Sequence, residues 1–320
     1  MQNSTPEVHV TCAICGGRAE PRVVGSERMF GLGGAYRYDM CVECGCLRLR
    51  DVPSRMDPFY ASGYYSLTEP DAPSSVRQWY RRVRDDVLFG RSRWARSLLV
   101  PIVPRGIMEA GEWIARSGAG PNSRILDVGC GVGTLLRRLV DAGYGNAQGV
   151  DPFVDADIMY RSRLLVRRAP IEDVDGEFDL IMLHHSLEHI EAQASTMSSV
   201  ARLLAADGTC LIRVPIVSSF AWDYYEDRWV QLDAPRHLFL HSAESMRRLA
   251  EGAGLRIHSM VHDSTAFQFE GSELYRRDIP LKDMGLHPPS RTQHLKYAGR
   301  AKRLNAQQRG DQAAFYLRHM

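Results

Sequence analysis

The chemistry of this 320-residue chain is concentrated in three short stretches. The first is "DVGCGVG": an acid, Asp127, closes an apolar run, and Gly129, Gly131 and Gly133 follow at alternate positions. Glycine allows a tight turn and close backbone approach. A helix starting near Thr134 would turn its N-terminal amides toward a ligand above that turn. A second acid, Asp151, ends another apolar run 24 positions after Asp127. There its carboxylate can accept hydrogen bonds from both hydroxyls of a ribose. The pair predicts a nucleoside-type cofactor. A dinucleotide-binding turn needs Gly-x-Gly-x-x-Gly, and the residue at the third position is Thr134. An acid before the turn would repel a pyrophosphate, but it suits a cofactor with a cationic amino-acid tail.

The second stretch is cysteine-rich. Cys12-x-x-Cys15 and Cys41-x-x-Cys44 are separated by 25 residues, with Gly16, Gly17 and Gly45 supplying turns after each pair. Two such knuckles complete a tetrahedron of thiolates, and four thiolates leave no position for water. The expectation is a structural zinc ribbon. Redox-active pairs or unbound buried thiols are the competing readings, and Cys46 is expected to pack beside the ligands.

The third stretch is histidine-rich. His185-Ser186-Leu187-Glu188-His189 spells H-x-x-E-H, which on a helix can be an inverted zinc-protease motif. Here it directly follows the apolar run "FDLIML", not the middle of a helix. Later in the chain, Asp233-Ala234-Pro235-Arg236-His237 follows an aromatic segment containing Trp222, Tyr224, Tyr225 and Trp229. Histidine suits proton transfer at neutral pH. Arg236 could hold a phosphate or carboxylate bidentately, or pair with Asp233. The rings of Trp222 and Tyr225 could stack on a sugar or line an acceptor pocket, with core packing as the alternative.

These residues need a scaffold. From Arg124 onward, short apolar strands alternate with helical stretches: "RILDV", "NAQGVD", "RLLVRR", "FDLIMLHH" and "TCLIRVP" as strands, "TLLRRLVDAG", "ASTMSSVARLLAADG" and "SAESMRRLAEGAG" as helices. Ser242 is the expected N-cap of the last helix. "LRIHSMV" and "TAFQFEGSELY" are expected to close the sheet as strands. Such alternation predicts an α/β, doubly wound, mostly parallel sheet.

Taken as a set, these motifs carry a family resemblance. "ILDVGCGVG" resembles the first motif of class I S-adenosylmethionine-dependent methyltransferases, "FDLIMLHHSLEHI" their strand-four segment and "LLAADGTCLIRVP" their fifth strand. "DAPRHLFLHSAESMRRLAEGAGL" resembles the late segment of the subgroup similar to ubiquinone-biosynthesis O-methyltransferases. The resemblance spans roughly residues 120 to 275 and implies a Rossmann-like, seven-stranded methyltransferase sheet. It implies that Asp127, Gly129, Gly131 and Gly133 meet the amino-acid end of S-adenosylmethionine, that Asp151 binds its ribose, and that Pro152 and Phe153 flank its adenine. Glu172 would meet the adenine amino group. His184 would line the methionine side, and His189 would sit above the transferable methyl, unless it is only a structural histidine. His237 resembles the catalytic base of sugar C-methyltransferases, with a structural histidine as the alternative. The cysteine module resembles the zinc module of those same enzymes, which helps cover the substrate, although their additional C-terminal domain has no counterpart here. Ribbons of this kind also bind RNA in some rRNA methyltransferases.

The expected organisation is a four-cysteine zinc-binding module over residues 1–52, a linker and helical cap over 53–119, the cofactor-binding domain over 120–277 and a helical tail over 278–320. A net charge of +2, from 40 basic and 38 acidic residues, speaks against a nucleic-acid partner. No apolar run approaches the ~18 residues needed to span a bilayer, and no secretory signal precedes the cysteines. The expectation is a cytoplasmic enzyme, with a small-molecule acceptor such as a sugar, a glycolipid or another metabolite. An RNA methyltransferase guided by the ribbon and a non-catalytic scaffold are the alternatives.

Overall fold

The computed structural model describes residues 10–60 and 112–320. Most of the expected linker and helical cap lies outside the described residues.

The larger sheet starts at β5 (Ile125–Val128), whose four residues are all buried. That is the pattern of a strand covered on both faces. The chain then steps one way through β6 (Ala147–Val150) to β8 (Arg163–Arg167), and back the other way to β9 (Phe178–His184) and β10 (Leu204–Pro215). All these strands pair in parallel. Helices α1 (Thr134–Asp141) and α2 (Gln193–Leu203) lie on the crossovers. The strand order therefore reverses between β5 and β9, and ligands bind at the carboxyl ends of strands at such a switch point.

The sheet has eight strands, in the order β12-β13-β10-β9-β5-β6-β8-β7. One more than the expected seven arises because β7 (Ile158–Tyr160) adds an antiparallel edge to β8. After β10 the chain makes an excursion through the short helix α3 (Phe220–Tyr225). The far end differs more from expectation. "TAFQFEGSELY" is not a strand: Phe267–Arg276 forms helix α5. Its aromatic and β-branched residues suggest β structure. Its buried residues, Gln268, Phe269, Gly271, Ser272, Leu274 and Tyr275, recur at helical spacing. A Cβ at Gly271 would come within 2.5 Å of Val230 Cγ2, so glycine lets this helix close onto its neighbour.

The closing strand is instead β13 (Gln312–His319), at the end of the segment expected to be a helical tail. It lies antiparallel between β10 and β12 (Leu255–His262). The tail does contain a helix, α6 (Arg291–Ala306), but Gln312–His319 complete the sheet. Helix α4 (Ala243–Gly252) begins as expected, with Ser242 and Ser245 forming a reciprocal capping box, a device that satisfies amides the first helical turn leaves free.

A second sheet, ordered β1-β2-β3-β4-β11, holds the cysteines. Strands β1 (Val10–Thr11), β2 (Arg18–Glu27), β3 (Gly33–Cys41) and β4 (Leu47–Leu49) come from the N-terminal module, and β11 (Phe239–Leu240) from beyond β10. The module is thus stitched by backbone pairing to the segment that carries His237. Apolar clusters fill both faces of the large sheet, and a third joins the module to the excursion after β10.

Candidate functional site

The glycine turn is held by the strand on each side. Gly129 N–H donates to Val150 O at 2.8 Å. The Asp151 carboxylate accepts from Gly131 N–H and from Phe153 N–H, each at 2.8 Å. Each oxygen keeps a second lone pair for a ligand. Gly129 has φ +71°, and a Cβ there would lie 2.5 Å from Ser186 Cβ. Ser186, just past β9, donates from Oγ to Val128 O at 2.8 Å. The turn after β5 and the turn after β9 therefore form one continuous wall.

Asp127 is buried at the foot of that wall. Burial, with a further push from the Asp151 charge, raises its carboxyl to about 8. An acid raised in the folded state favours folding where it stays protonated, and that advantage is lost as pH rises from near 4 in the unfolded chain to about 8. Asp127→Asn is therefore expected to melt higher than wild type above pH 8, by on the order of a few kcal/mol. The gap should shrink toward pH 5, and a melting series over that range checks it. Equal pH dependence in both proteins would contradict the assignment.

Other expected cofactor residues separate into two groups. Pro152 is exposed and the Phe153 ring is 79% exposed beside the turn, free to pack on a flat ring. His184 is half-buried at the carboxyl end of β9, its two ring nitrogens shielded from solvent and without a hydrogen-bond partner among the described residues. It packs 4.9 Å from the Trp113 ring. Burial first, then the charges of Arg213 and His185, lower it to about 3, so the ring is neutral. Glu172 is different: it is exposed on the turn Ile171–Asp173 and its Oε1 accepts from Ser195 Oγ at 3.3 Å, on α2.

Past Ser186, Leu187–His189 forms a single 3-10 turn. His185 sits at φ +50° before it, so the helical face that an inverted protease motif requires is not formed. His185 Nε2 lies 2.7 Å from Arg213 Nη1; the arginine is the donor, and Arg213 is itself paired to Asp263. His189 turns the other way. Its Nδ1–H donates to Arg236 O at 2.9 Å, and its ring lies 4.8 Å from that of His237, edge to face. Burial, then the His237 charge, lowers His189 to about 4. His237 donates from Nδ1 to Gln231 O at 2.7 Å, which leaves the free lone pair of the neutral ring on Nε2. Glu188 lies between them, wholly buried, with no hydrogen bond to either carboxylate oxygen among the described residues. His237 Nε2 is 3.9 Å from Glu188 Oε1.

Residues 102–260 match a family model described as a methyltransferase domain. The match covers the glycine turn, both acids, the 3-10 turn and His237, on a sheet whose order reverses beside its first strand and whose β13 runs antiparallel to its neighbours. This segment matches methyltransferase domains. A ubiquinone biosynthesis O-methyltransferase from Aromatoleum aromaticum is 31% identical over 108 residues, which cover 30% of this chain and 46% of that protein. The chain thus spans less than half the length of the relative it matches. Solved structures that align with it include a cyclopropane synthase from Mycobacterium tuberculosis, with 16% identity, TM-score 0.44, and 66% and 83% of the two chains covered. Another is an S-adenosylmethionine-dependent methyltransferase from Thermotoga maritima, with 14% identity, TM-score 0.42, and 77% and 94% covered. The assignment rests on the sequence match and the strand order.

Three residues expected to meet substrate in this methyltransferase domain are instead internal. Arg236 is 0% exposed. Its guanidinium bonds Asp233 through Nε and Nη2 at 2.9 and 2.6 Å, Glu27 at 2.9 Å and Phe59 O at 3.1 Å. Four of its five donors are taken and the group is closed off from solvent, so the reading in which it pairs with Asp233 is the one realised. Trp222 is buried against Trp229 in the core shared with the module. Tyr225 is buried there too, and its hydroxyl donates to Glu273 Oε1 at 2.8 Å.

The cysteines converge as expected. Cys12, Cys15, Cys41 and Cys44 bring their sulfurs within 4.8 Å of one another, with Cys12–Cys44 at 3.7 Å and Cys15–Cys41 at 3.5 Å. Four sulfurs at ~2.3 Å from one zinc stand about 3.8 Å apart, so the set fits that ion. Each knuckle also turns an amide onto a sulfur: Ile14 N–H onto Cys12, Cys44 N–H onto Cys41. Cys46 stays outside, buried with its thiol toward Leu47 O. Glu188 is the residue that sequence reasoning set aside. Its signal was the H-x-x-E-H spelling, but the residues it joins are not those the motif names.

Proposed function

We propose that this chain is an S-adenosylmethionine-dependent methyltransferase acting on a small-molecule acceptor, a sugar or glycolipid hydroxyl being the favoured class. The observation that carries the reading is the pair of buried acids, Asp127 and Asp151, around a glycine turn at the switch point of a parallel sheet. Asp127, ionised, pairs with the cofactor's ammonium, the turn amides approach its amino-acid end, and Asp151 accepts from its ribose hydroxyls. Phe153 lies against the adenine. The site fits the cofactor because glycine at 129 and 133 lets the turn lie close against Ser186 and Val166, where a Cβ would clash, and because the Asp151 oxygens keep lone pairs free for ribose hydroxyls.

When bound, the sulfonium supplies a methyl group: the bond from acceptor oxygen to carbon forms as the carbon–sulfur bond breaks, with its electron pair going to sulfur. What the protein adds is alignment and help in removing the acceptor's proton. The histidine pair, His189 and His237, serves the second task, with His237 the leading candidate for activating the hydroxyl. The near-neutral charge of the chain supports a small acceptor over RNA. The four cysteines hold a structural zinc.

Titration calorimetry with S-adenosylmethionine tests the cofactor half. Wild type should bind, and Asp151→Ala should bind at least about tenfold more weakly, or ~1.4 kcal/mol. Equal binding, or none by wild type, removes the reading. With labelled cofactor and a small-metabolite extract as acceptor pool, His237→Ala should lose roughly 10²–10⁴-fold in methyl transfer while keeping its cofactor affinity.

A further inference from the structure

Helix α5, the 3-10 segment Leu281–Leu286 and helix α6 enclose a cavity of about 400 Å³. That size is within the range of small-molecule sites. None of its lining residues belongs to the glycine turn or the histidine pair. Two carboxylates line the α5 side, Glu270 and Glu273, three positions apart and so on one helix face. Each is engaged through one oxygen. Glu270 Oε1 accepts from His294 Nδ1–H at 2.7 Å. Glu273 Oε1 accepts from Tyr225 Oη at 2.8 Å and from Arg276 Nη1 at 3.2 Å. The second oxygen of each has no hydrogen-bond partner among the described residues, although the Glu270 side chain is only 9% exposed. An ionised oxygen so enclosed calls for a donor. Arg277, the guanidinium on the same wall, is exposed, and its Nε–H is spent on Glu273 O at 3.2 Å.

The rest of the wall is not suited to water. Leu274, Met284, Pro288 and Pro289 line it, and Leu286 leaves an apolar side chain 78% exposed there. The two prolines hold their backbone at a fixed φ, so this wall is preset. The Tyr297 ring is held by stacking on Phe269 at 5.2 Å. The geometry points to an organic cation in this cavity, a primary ammonium on a compact apolar body. An ammonium has three donors and can bridge two carboxylates whose Cβ atoms stand about 5–6 Å apart. The apolar body covers Met284 and Leu286, and the Tyr297 ring offers the charge its face. This site is separate from the methyl-transfer reading and stands without it.

The test uses the full-length protein with isotope-labelled methionine methyls, titrated with phenethylammonium and with phenethyl alcohol, which has the same body without the charge. Met284→Leu identifies the Met284 signal. Phenethylammonium should shift that signal saturably, and the alcohol should bind at least about tenfold more weakly. Met182 and Met246, both buried in the sheet core, should not move. Glu270→Gln and Glu273→Gln should each weaken phenethylammonium at least about tenfold, with the Met182 and Met246 signals at their wild-type positions as proof of folding. No saturable shift in wild type, equal binding of amine and alcohol, or wild-type affinity in both variants overturns the proposal. So does the same shift produced by magnesium chloride alone, which would make this an inorganic cation site.

Discussion

Stripping metal from the four cysteines should unfold the N-terminal module and remove the acceptor side of the site with it. A structural zinc contributes on the order of 10–16 kcal/mol in small zinc peptides, comparable to or larger than the ~5–15 kcal/mol that holds a whole domain folded. Beyond the β2–β3 hairpin the module's strands are short. Its β1 and β4 are two and three residues long, and without zinc its four thiols leave a hole in the core. The damage would spread along specific bonds. β11 pairs with β4, Leu49 N–H donates to Leu238 O at 2.9 Å, Tyr38 Oη donates to His237 O at 3.0 Å, and Ser242 Oγ donates to Cys44 O. Each ties the module to the segment around His237. Hydrogen exchange after chelation, or on Cys44→Ser, should show protection lost over β1–β4 and β11 but kept in β5, β6, β9 and β10. Cofactor affinity should survive while methyl transfer does not. Unchanged protection in residues 10–50 with metal loss verified would show that the thiols do not hold the module together.

That split between the two ends of the site follows how legible each was in the sequence. The cofactor end is built from neighbours in sequence: an acid, three glycines and a strand of four buried residues. Local spacing dictates such a turn, so Asp127 and Asp151 are readable from the chain alone. The acceptor end is built from residues far apart. Glu188 and His189 meet His237 only because β11, past a long excursion, pairs with the cysteine module. Nothing local in "HHSLEHI" announces that Glu188 and His189 face a histidine some 48 positions away (237 − 189). The helical reading of H-x-x-E-H failed for a backbone reason: His185 at φ +50° breaks the helix before it starts. β13 was hidden for a similar reason. It follows a polar helix, and its partners β10 and β12 lie about a hundred and about fifty residues back, so hydrophobic pattern could not reveal its pairing. Trp222 and Tyr225 carry the same types in a core as in a binding pocket, and only burial separates the two.

Arg236→Met should be among the most destabilising single changes in the chain, although methionine fits the volume. The wild-type guanidinium is fully buried between Asp233 and Glu27. Removing it leaves two buried carboxylates facing each other without their cation, a loss of about 3–5 kcal/mol. At roughly 2–4 °C per kcal/mol for a large domain, the melting point should fall by about 6–20 °C. Glu27→Gln should cost much less, because Arg236 keeps both bonds to Asp233, and an amide oxygen in the place of Oε2 can still accept from Phe30 N–H and Leu32 N–H. The pH dependence has a definite sign. Burial raises the Asp233 carboxyl, but Arg236 outweighs it and pulls the group below its usual range. Wild type therefore gains from this acid above pH ~4 and loses that gain as pH falls. In Arg236→Met the cation is gone and burial prevails, so the variant should recover stability toward acid as Asp233 takes up its proton. A variant whose deficit is the same at pH 5 and pH 8 would contradict this account. The backbone carbonyl of the same residue fixes His189, so releasing the segment from its guanidinium anchors should shift that carbonyl and loosen the histidine pair. Methyl transfer should then fall by more than the unfolded fraction explains, whereas Glu27→Gln, which leaves the Arg236–Asp233 pair in place, should keep most of the activity.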